Sequence, residues 1–209
     1  MTAKRRSQTD RSAATRDALI QVAREHFAAS GYGGVGTEAI VRAAGVTRGA
    51  LYHQFADKTE LFAAVVEAVE ADVMSRIDLA VATSGLADVI DLMKLGADTW
   101  LDACSDPAIS QIMLVDAPSV LGWERWREIG LKYGMGMVQG LLAQAMQLGR
   151  IATQPVAPLA HVLIGALDEA TLYVVRSPHR ADALAEVRVV LRSLIDAFAV
   201  GDLDAEVEP

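Results

Sequence analysis

Residues 37–58 read TEAIVRAAGVTRGALYHQFADK, and the pattern within them is two short helices around a tight turn. Thr37 stands before an apolar-periodic run and is followed by Glu38, which predicts Thr37 as the N-cap with an acid at the positive end of the helix dipole. Ile40, Val41, Ala43 and Ala44 continue that helix, and Gly45 supplies the positive φ that ends it. Thr47 caps a second helix from Arg48 to Phe55. Its Leu51 and Phe55 lie four apart and share the inward face, which leaves Arg48, Gly49, Ala50, Tyr52, His53 and Gln54 on or near the outer one. A short helix with a small-residue N-terminus fits a major groove, where Arg and Gln read base edges. The stretch reads as a helix-turn-helix; the alternative is an αα-hairpin inside a bundle.

The same residues carry a family likeness. The string Thr37…Ile40…Ala44-Gly45-Val46…Gly49-x-Leu51-Tyr52…Phe55…Lys58…Leu61 resembles the tetracycline-repressor (TetR) family of bacterial transcriptional regulators, most specifically in Leu-Tyr-x-x-Phe-x-x-Lys. The likeness covers roughly residues 14–65. One departure is Val41, where the family prefers alanine for close helix approach. The resemblance implies that Tyr32 lies in a loop and Thr37 at a phosphate, and that a helical ligand-binding and dimerisation domain follows.

Composition agrees with an all-α chain of about nine helices. It has 209 residues, 52% of them hydrophobic, with only six prolines and a mean hydropathy of +0.27. No run of 18 consecutive apolar residues occurs, so no membrane partner is expected. The basic N-terminus lacks the apolar stretch of a secretory signal. One cysteine, Cys104, precludes an internal disulfide and suits a reducing cytosol. Net charge is −8, yet residues 1–58 carry nine Lys/Arg against five Asp/Glu (+4), and residues 59–209 carry ten against 22 (−12). A basic head on an acidic body is a footprint for DNA at one end only.

The expected organisation is a basic tail over residues 1–11, whose Lys4, Arg5 and Arg6 are either solvated or phosphate contacts, and a three-helix DNA-binding domain over 12–58. A ligand-binding and dimerisation domain over 59–200 and an acidic tail over 201–209 follow. In the first domain a helix from Ser12 to Ser30 presents Leu19, Val22, Ala23 and Phe27 at helical spacing. A long helix from Lys58 to Ala82 leaves it, a route by which a tilt would reach the DNA-binding end. Arg48, Gly49, Ala50 and Gln54 are the expected base-reading residues. Thr37, Thr47, Tyr52, His53 and Lys58 are expected at phosphates.

The helix from Trp123 to Gly149 is apolar around much of its girth and contains Gly130, Gly134, Gly136 and Gly140. Each interior glycine costs up to about 1 kcal/mol relative to alanine. Met and Trp beside missing side chains predict an adaptable apolar cavity, with Trp100, Cys104, Met113, Trp123, Trp126, Tyr133, Met137 and His161 as its expected residues; ordinary core packing is the alternative. The last two helices carry broad apolar stripes, and pairing with a two-fold mate would bury them. Leu163, Leu167, Val174, Val187, Val190, Leu191, Leu194 and Phe198 are the expected dimer contacts. Asp168 and Glu169 follow His161 by two turns, as ligand contacts, as polar contacts at the dimer seam or as satisfied core positions.

Catalysis finds no support. His26, His53, His161 and His179 are scattered, with no pair at metal-ligand spacing, and no phosphate-cradling glycine loop is present. The expected protein is a non-enzymatic, cytoplasmic regulator without metal or cofactor. Its partners are duplex DNA, a small apolar effector and a second copy of itself. A helical module that only sequesters an apolar compound and a helical enzyme are the competing readings.

Overall fold

The computed structural model describes residues 8–200; Lys4, Arg5, Arg6 and the acidic stretch 201–209 lie outside them. Nine helices account for most of the described chain: α1 Gln8–Ser30, α2 Thr37–Ala43, α3 Arg48–Gln54, α4 Lys58–Thr83 and α5 Val89–Ser105, then α6 Pro107–Leu121, α7 Trp123–Gln147, α8 Val156–Arg176 and α9 Arg180–Phe198. No β-strand occurs among the described residues, only an isolated bridge between Ile151 and Ala199. Helix α6 is irregular: α-helical over Pro107–Ser110, π-helical over Gln111–Asp116 and α-helical again over Ala117–Leu121. π-Helical turns of this kind are rare and cluster at functional sites.

By packing, the chain forms two units, and the division does not follow the boundary expected at residue 58. Among the described residues, one unit holds the chain through Glu70 together with Pro107–Ile129; the other holds Ala71–Asp106 and the chain from Gly130 to Val200. The first unit is built around α1, whose Leu19, Ala23 and Phe27 are fully buried. Helices α2, α3 and α6 all pack against α1. Ile109, Ile112 and Met113 of α6 are buried, so this later segment belongs to the core of the N-terminal helices. Phe27, Tyr32 and Phe62 form an aromatic triangle with centroids 5.0–5.7 Å apart.

In the second unit α5 and α9 pack closely, and both contact α8. Leu101, Val174, Ala183, Val187 and Leu191 form one buried cluster; Val89, Met93, Leu142, Ile151, Leu159 and Ile195 belong to another. A charged ladder closes the α5–α9 seam. Lys94, Asp98 and Asp102 recur at four-residue spacing and meet Asp196, Arg192 and Arg188 in antiparallel order. Asp98 is the buried rung, 3.1 Å from Nε of Arg192 and 3.4 Å from Arg188. Helix α8 has the length and hydropathy of a membrane span, which a search for unbroken apolar runs misses. Its Leu159, Ala160, Ile164, Leu172 and Val174 are spent on the core.

The dimer contacts expected from the sequence are mostly used inside the subunit. Val174, Val187 and Leu191 are core residues, Phe198 packs on the other cluster, and Leu163, Leu167, Leu191 and Leu194 line a cavity. Of the eight, Val190 alone is exposed. The regular stripes on α8 and α9 mark the face turned to their own core. Outward lie Val162, Tyr173, Val189 and Val190, each more than half exposed.

The ladder makes a stability prediction. Asp98→Ala removes a buried acceptor from two arginines and is expected to cost about 2 kcal/mol. Asp102→Ala, at an exposed rung, should cost less than about 1 kcal/mol. Urea denaturation at fixed protein concentration separates the two; equal losses would contradict the assignment.

Candidate nucleic-acid interface and apolar cavity

The turn between α2 and α3 is held by its own backbone. Val46 N–H donates to Val41 O at 3.0 Å and Gly45 N–H to Arg42 O at 3.3 Å, with Gly45 at φ 65°. Thr47 caps α3, its hydroxyl accepting from Ala50 N–H at 3.2 Å. The cap expected at Thr37 sits one residue earlier: Gly36 takes the extended N-cap conformation without a side-chain bond, and Thr37 opens the helix. Leu51 and Phe55 are buried beneath α3, while Arg48, Gly49, Tyr52 and His53 are exposed and Ala50 is half-buried.

Arg48 lies 3.5 Å from Glu38, both side chains about two-thirds exposed, with its guanidinium 5.5 Å from the Tyr52 ring centroid. Hydrogen bonding to Tyr52 and the Glu38 charge raise its already high pKa, so it stays a cation. An exposed pair of this kind contributes little to stability, which leaves the guanidinium available to another acceptor. Gly49 has no structural need to be glycine: a Cβ there would meet nothing closer than Thr47 Oγ1 at 3.9 Å.

Two expected DNA contacts face inward instead. Gln54 donates from Nε2 to Ser12 Oγ at 2.8 Å, and its backbone carbonyl accepts from Arg16 at 3.3 Å. Arg16 in turn stacks over Phe55, 4.4 Å from the ring centroid. Lys58 donates to Tyr32 O at 2.6 Å and lies 3.9 Å from that tyrosine's ring centroid. Burial pulls its pKa below the ordinary lysine value, against the opposing charge of Asp116. The sequence reading missed Ser12, Arg16, Asp116 and Thr59, which anchor these groups; their contacts are long-range and leave no local pattern.

Asp116 ends the π-helical turn of α6. Its carboxylate accepts from Tyr32 N–H at 2.7 Å, and the Tyr32 hydroxyl meets Thr59 Oγ1 at 3.0 Å. Nearby, Arg125 donates two bonds to Glu60, at 2.6 and 2.8 Å. These bonds hold the Glu60 carboxyl below its usual value. The clamp is therefore intact above that usual value and is lost only as pH falls through the depressed one.

The second unit holds a partly open apolar cavity of about 120 Å³, walled by α4, α5, α7, α8 and α9 residues including Met74, Met93, Trp100, Gly134, Met137 and Asp168. Of the expected pocket residues, Trp100 and Met137 line it. Cys104 is buried outside its wall. Met113 and Trp126 serve the core of the first unit, Trp126 Nε1 donating to Met113 O at 2.9 Å. Trp123 is 63% exposed and lies 5.0 Å from Trp126. Tyr133 is half-buried beside Lys132, and His161 is exposed. The aromatic start of α7 thus belongs to one core, and its glycine-bearing continuation opens the cavity of the other.

Comparison with known proteins places this architecture. Residues 19–65 match the model of bacterial regulatory proteins of the tetR family, and residues 90–198 match a tetracyclin repressor-like C-terminal domain. The chain belongs to the TetR family. The Transposon Tn10 TetC protein of Escherichia coli is 26% identical over 155 residues, covering 72% of this chain and 75% of TetC. The transcriptional regulator AcuR of Cereibacter sphaeroides is 34% identical over 74 residues, about a third of either chain. A crystal structure of a TetR-family transcriptional regulator from Pectobacterium atrosepticum superposes with a TM-score of 0.80 at 28% identity, covering 93% of this chain and 98% of that one. This TetR-family chain is accordingly a DNA-binding transcriptional regulator with an N-terminal helix-turn-helix.

If Asp116 fixes the Tyr32 loop, Asp116→Ala should destabilise the protein by about 1–2 kcal/mol. It should also speed hydrogen exchange at the Tyr32 amide roughly tenfold. Unchanged exchange at Tyr32 would show that the loop is held by other contacts.

Proposed function

We propose that this TetR-family regulator is a homodimeric repressor released from a palindromic operator by a small, largely apolar ligand. The observation that carries the reading is the outward face of α3. It presents one exposed cation, Arg48, beside a glycine that the fold itself does not require. Arg48 reads guanine in the major groove, and Gly49 and Ala50 allow close approach and contact with a thymine methyl. Thr37, Thr47, Tyr52 and His53 engage phosphates on either side. Gln54 and Lys58 act indirectly: their bonds to Ser12 and to Tyr32 set the pose of α3 and of the loop between α1 and α2.

Dimerisation uses the outer faces of α8 and α9, where Val162, Tyr173, Val189 and Val190 are exposed. Two such subunits present their recognition helices to successive major grooves about 34 Å apart. The cavity is the effector site. Helices α4 and α7 each contribute residues to its wall and also carry Lys58, Glu60 and Arg125 of the clamp near Tyr32. A ligand that binds one helix arrangement more tightly shifts the population toward it, and that differential affinity is all release requires. The protein works in the bacterial cytoplasm and catalyses no reaction.

The test is a set of α3 variants titrated against the selected operator. Arg48→Ala should cost about 1–3 kcal/mol of binding and relax specificity at one base pair. Gly49→Ala should raise unfolding stability by about 0.5–1 kcal/mol while weakening operator binding. Operator affinity and specificity that survive Arg48→Ala unchanged would remove the base-reading assignment.

A further inference from the structure

We infer that Glu38 of α2 is a positioning residue that sets DNA specificity: its carboxylate holds the Arg48 guanidinium for guanine and withholds it from phosphates. It thereby sharpens sequence choice while lowering general affinity for DNA. This deepens, and rests on, the reading of α3 as the base-reading helix.

Charge singles out Glu38. Between Gly31 and Ala56 it is the one carboxylate in the sequence, and it stands beside Arg48 on the side a duplex must approach if α3 enters a groove. A bare carboxylate there repels the phosphate backbone and lowers affinity for DNA of any sequence. The fold gains little in return. Both side chains of the Glu38–Arg48 pair are about two-thirds exposed, and exposed pairs contribute little to stability.

The local geometry turns the carboxylate toward Arg48. Gly36, two residues earlier, leaves it room: a Cβ there would stand 3.3 Å from Glu38 Oε2. Arg48 is met from two sides. Its Nη1 lies 3.5 Å from Glu38 Oε1, and its Cζ lies 5.5 Å from the Tyr52 ring centroid. Two contacts along one long side chain narrow the conformations it loses on binding, which is how preorganisation favours one partner.

Guanine and phosphate then differ as partners. A guanidinium carries five N–H donors. Two suffice for guanine O6 and N7, and the others remain for Glu38. An Arg48 that turns aside to the backbone gives up the carboxylate and leaves it uncompensated next to the polyanion. Penalising the wrong partner in this way produces specificity without adding affinity for the right one.

The experiment is a double-mutant cycle on the full chain: wild type, Glu38→Gln, Arg48→Ala and the double variant. Each is titrated by fluorescence anisotropy, at several salt concentrations, against two labelled duplexes. One is the sequence that the wild type selects from a random pool; the other is its shuffled counterpart. Glu38→Gln should bind the shuffled duplex severalfold tighter, with a salt slope steeper by about one per subunit. The ratio of selected to shuffled affinity should fall roughly fivefold or more. Repeated selection with Glu38→Gln should relax the same base pair that Arg48→Ala relaxes. In the Arg48→Ala background, Glu38→Gln should leave the ratio unchanged, because the two residues act as one.

A ratio that Glu38→Gln leaves unchanged in the wild-type background would overturn the inference. So would equal gains on both duplexes in both backgrounds, the mark of plain charge repulsion. The two readings fail separately. If Arg48→Ala weakens binding to the selected duplex and Glu38→Gln changes nothing, α3 remains the reader and only the role of Glu38 is removed. If Arg48→Ala itself has no effect, the base-reading assignment fails and the role of Glu38 falls with it.

Discussion

A seven-residue helix is not stable by itself in water, where isolated helices need about 12–15 residues to be even marginal. Helix α3 is that short, so everything that makes it a recognition element must come from what lies beneath and beside it. Leu51 and Phe55 are buried under it, Thr47 closes its first turn, and α1 reaches its last turn through Ser12 and Arg16. With the rear so committed, the front need not contribute to the fold at all. A glycine at position 49 and a loosely paired arginine at 48 are affordable only because α1 carries the stability.

The same division of labour recurs around Tyr32. Its N–H, carbonyl and hydroxyl are each engaged, by Asp116, Lys58 and Thr59 respectively. Asp116 reaches it from the π-helical end of α6, and Arg125 fastens the start of α7 to Glu60 of α4. A segment more than 80 residues downstream therefore shares a core with the DNA-binding helices. A regulator needs such a connection if events in its later helices are to bias the pose of α3.

Much of this was legible in the sequence, because it is local. Gly45 between two apolar-periodic runs, Thr47 three residues before Ala50, and Leu51 with Phe55 one turn apart are short-range signals, and they located the helix-turn-helix. Broad apolar stripes located the later helices in the same way. What was not legible depends on partners distant in sequence. Gln54 and Arg48 both lie on or near the outer face of α3, yet Gln54 is long enough to reach back to Ser12, 42 residues away. Leu163, Leu167 and Leu194 line the cavity of their own subunit, and spacing alone does not tell an inner stripe from an outer one. Trp123 and Trp126 drew the expected pocket toward the start of α7, whereas the cavity lies along its glycine-bearing continuation, at Gly130 and Gly134. The charged ladder of α5 and α9 was visible as spacing in each helix and became meaningful only once the helices were paired.

On the proposal made above, α3 reads base sequence as one of a symmetric pair. Its most direct test is selection of bound duplexes from a random DNA pool by the full chain, sequenced and repeated at two salt concentrations. The expected result is a palindromic consensus with half-sites about one helical turn or a multiple of it apart, retained at the higher salt while non-specific binding falls away. Weak, salt-sensitive binding without any consensus would contradict it. The helix-turn-helix would then be scaffold only, and the chain a helical module that holds an apolar compound.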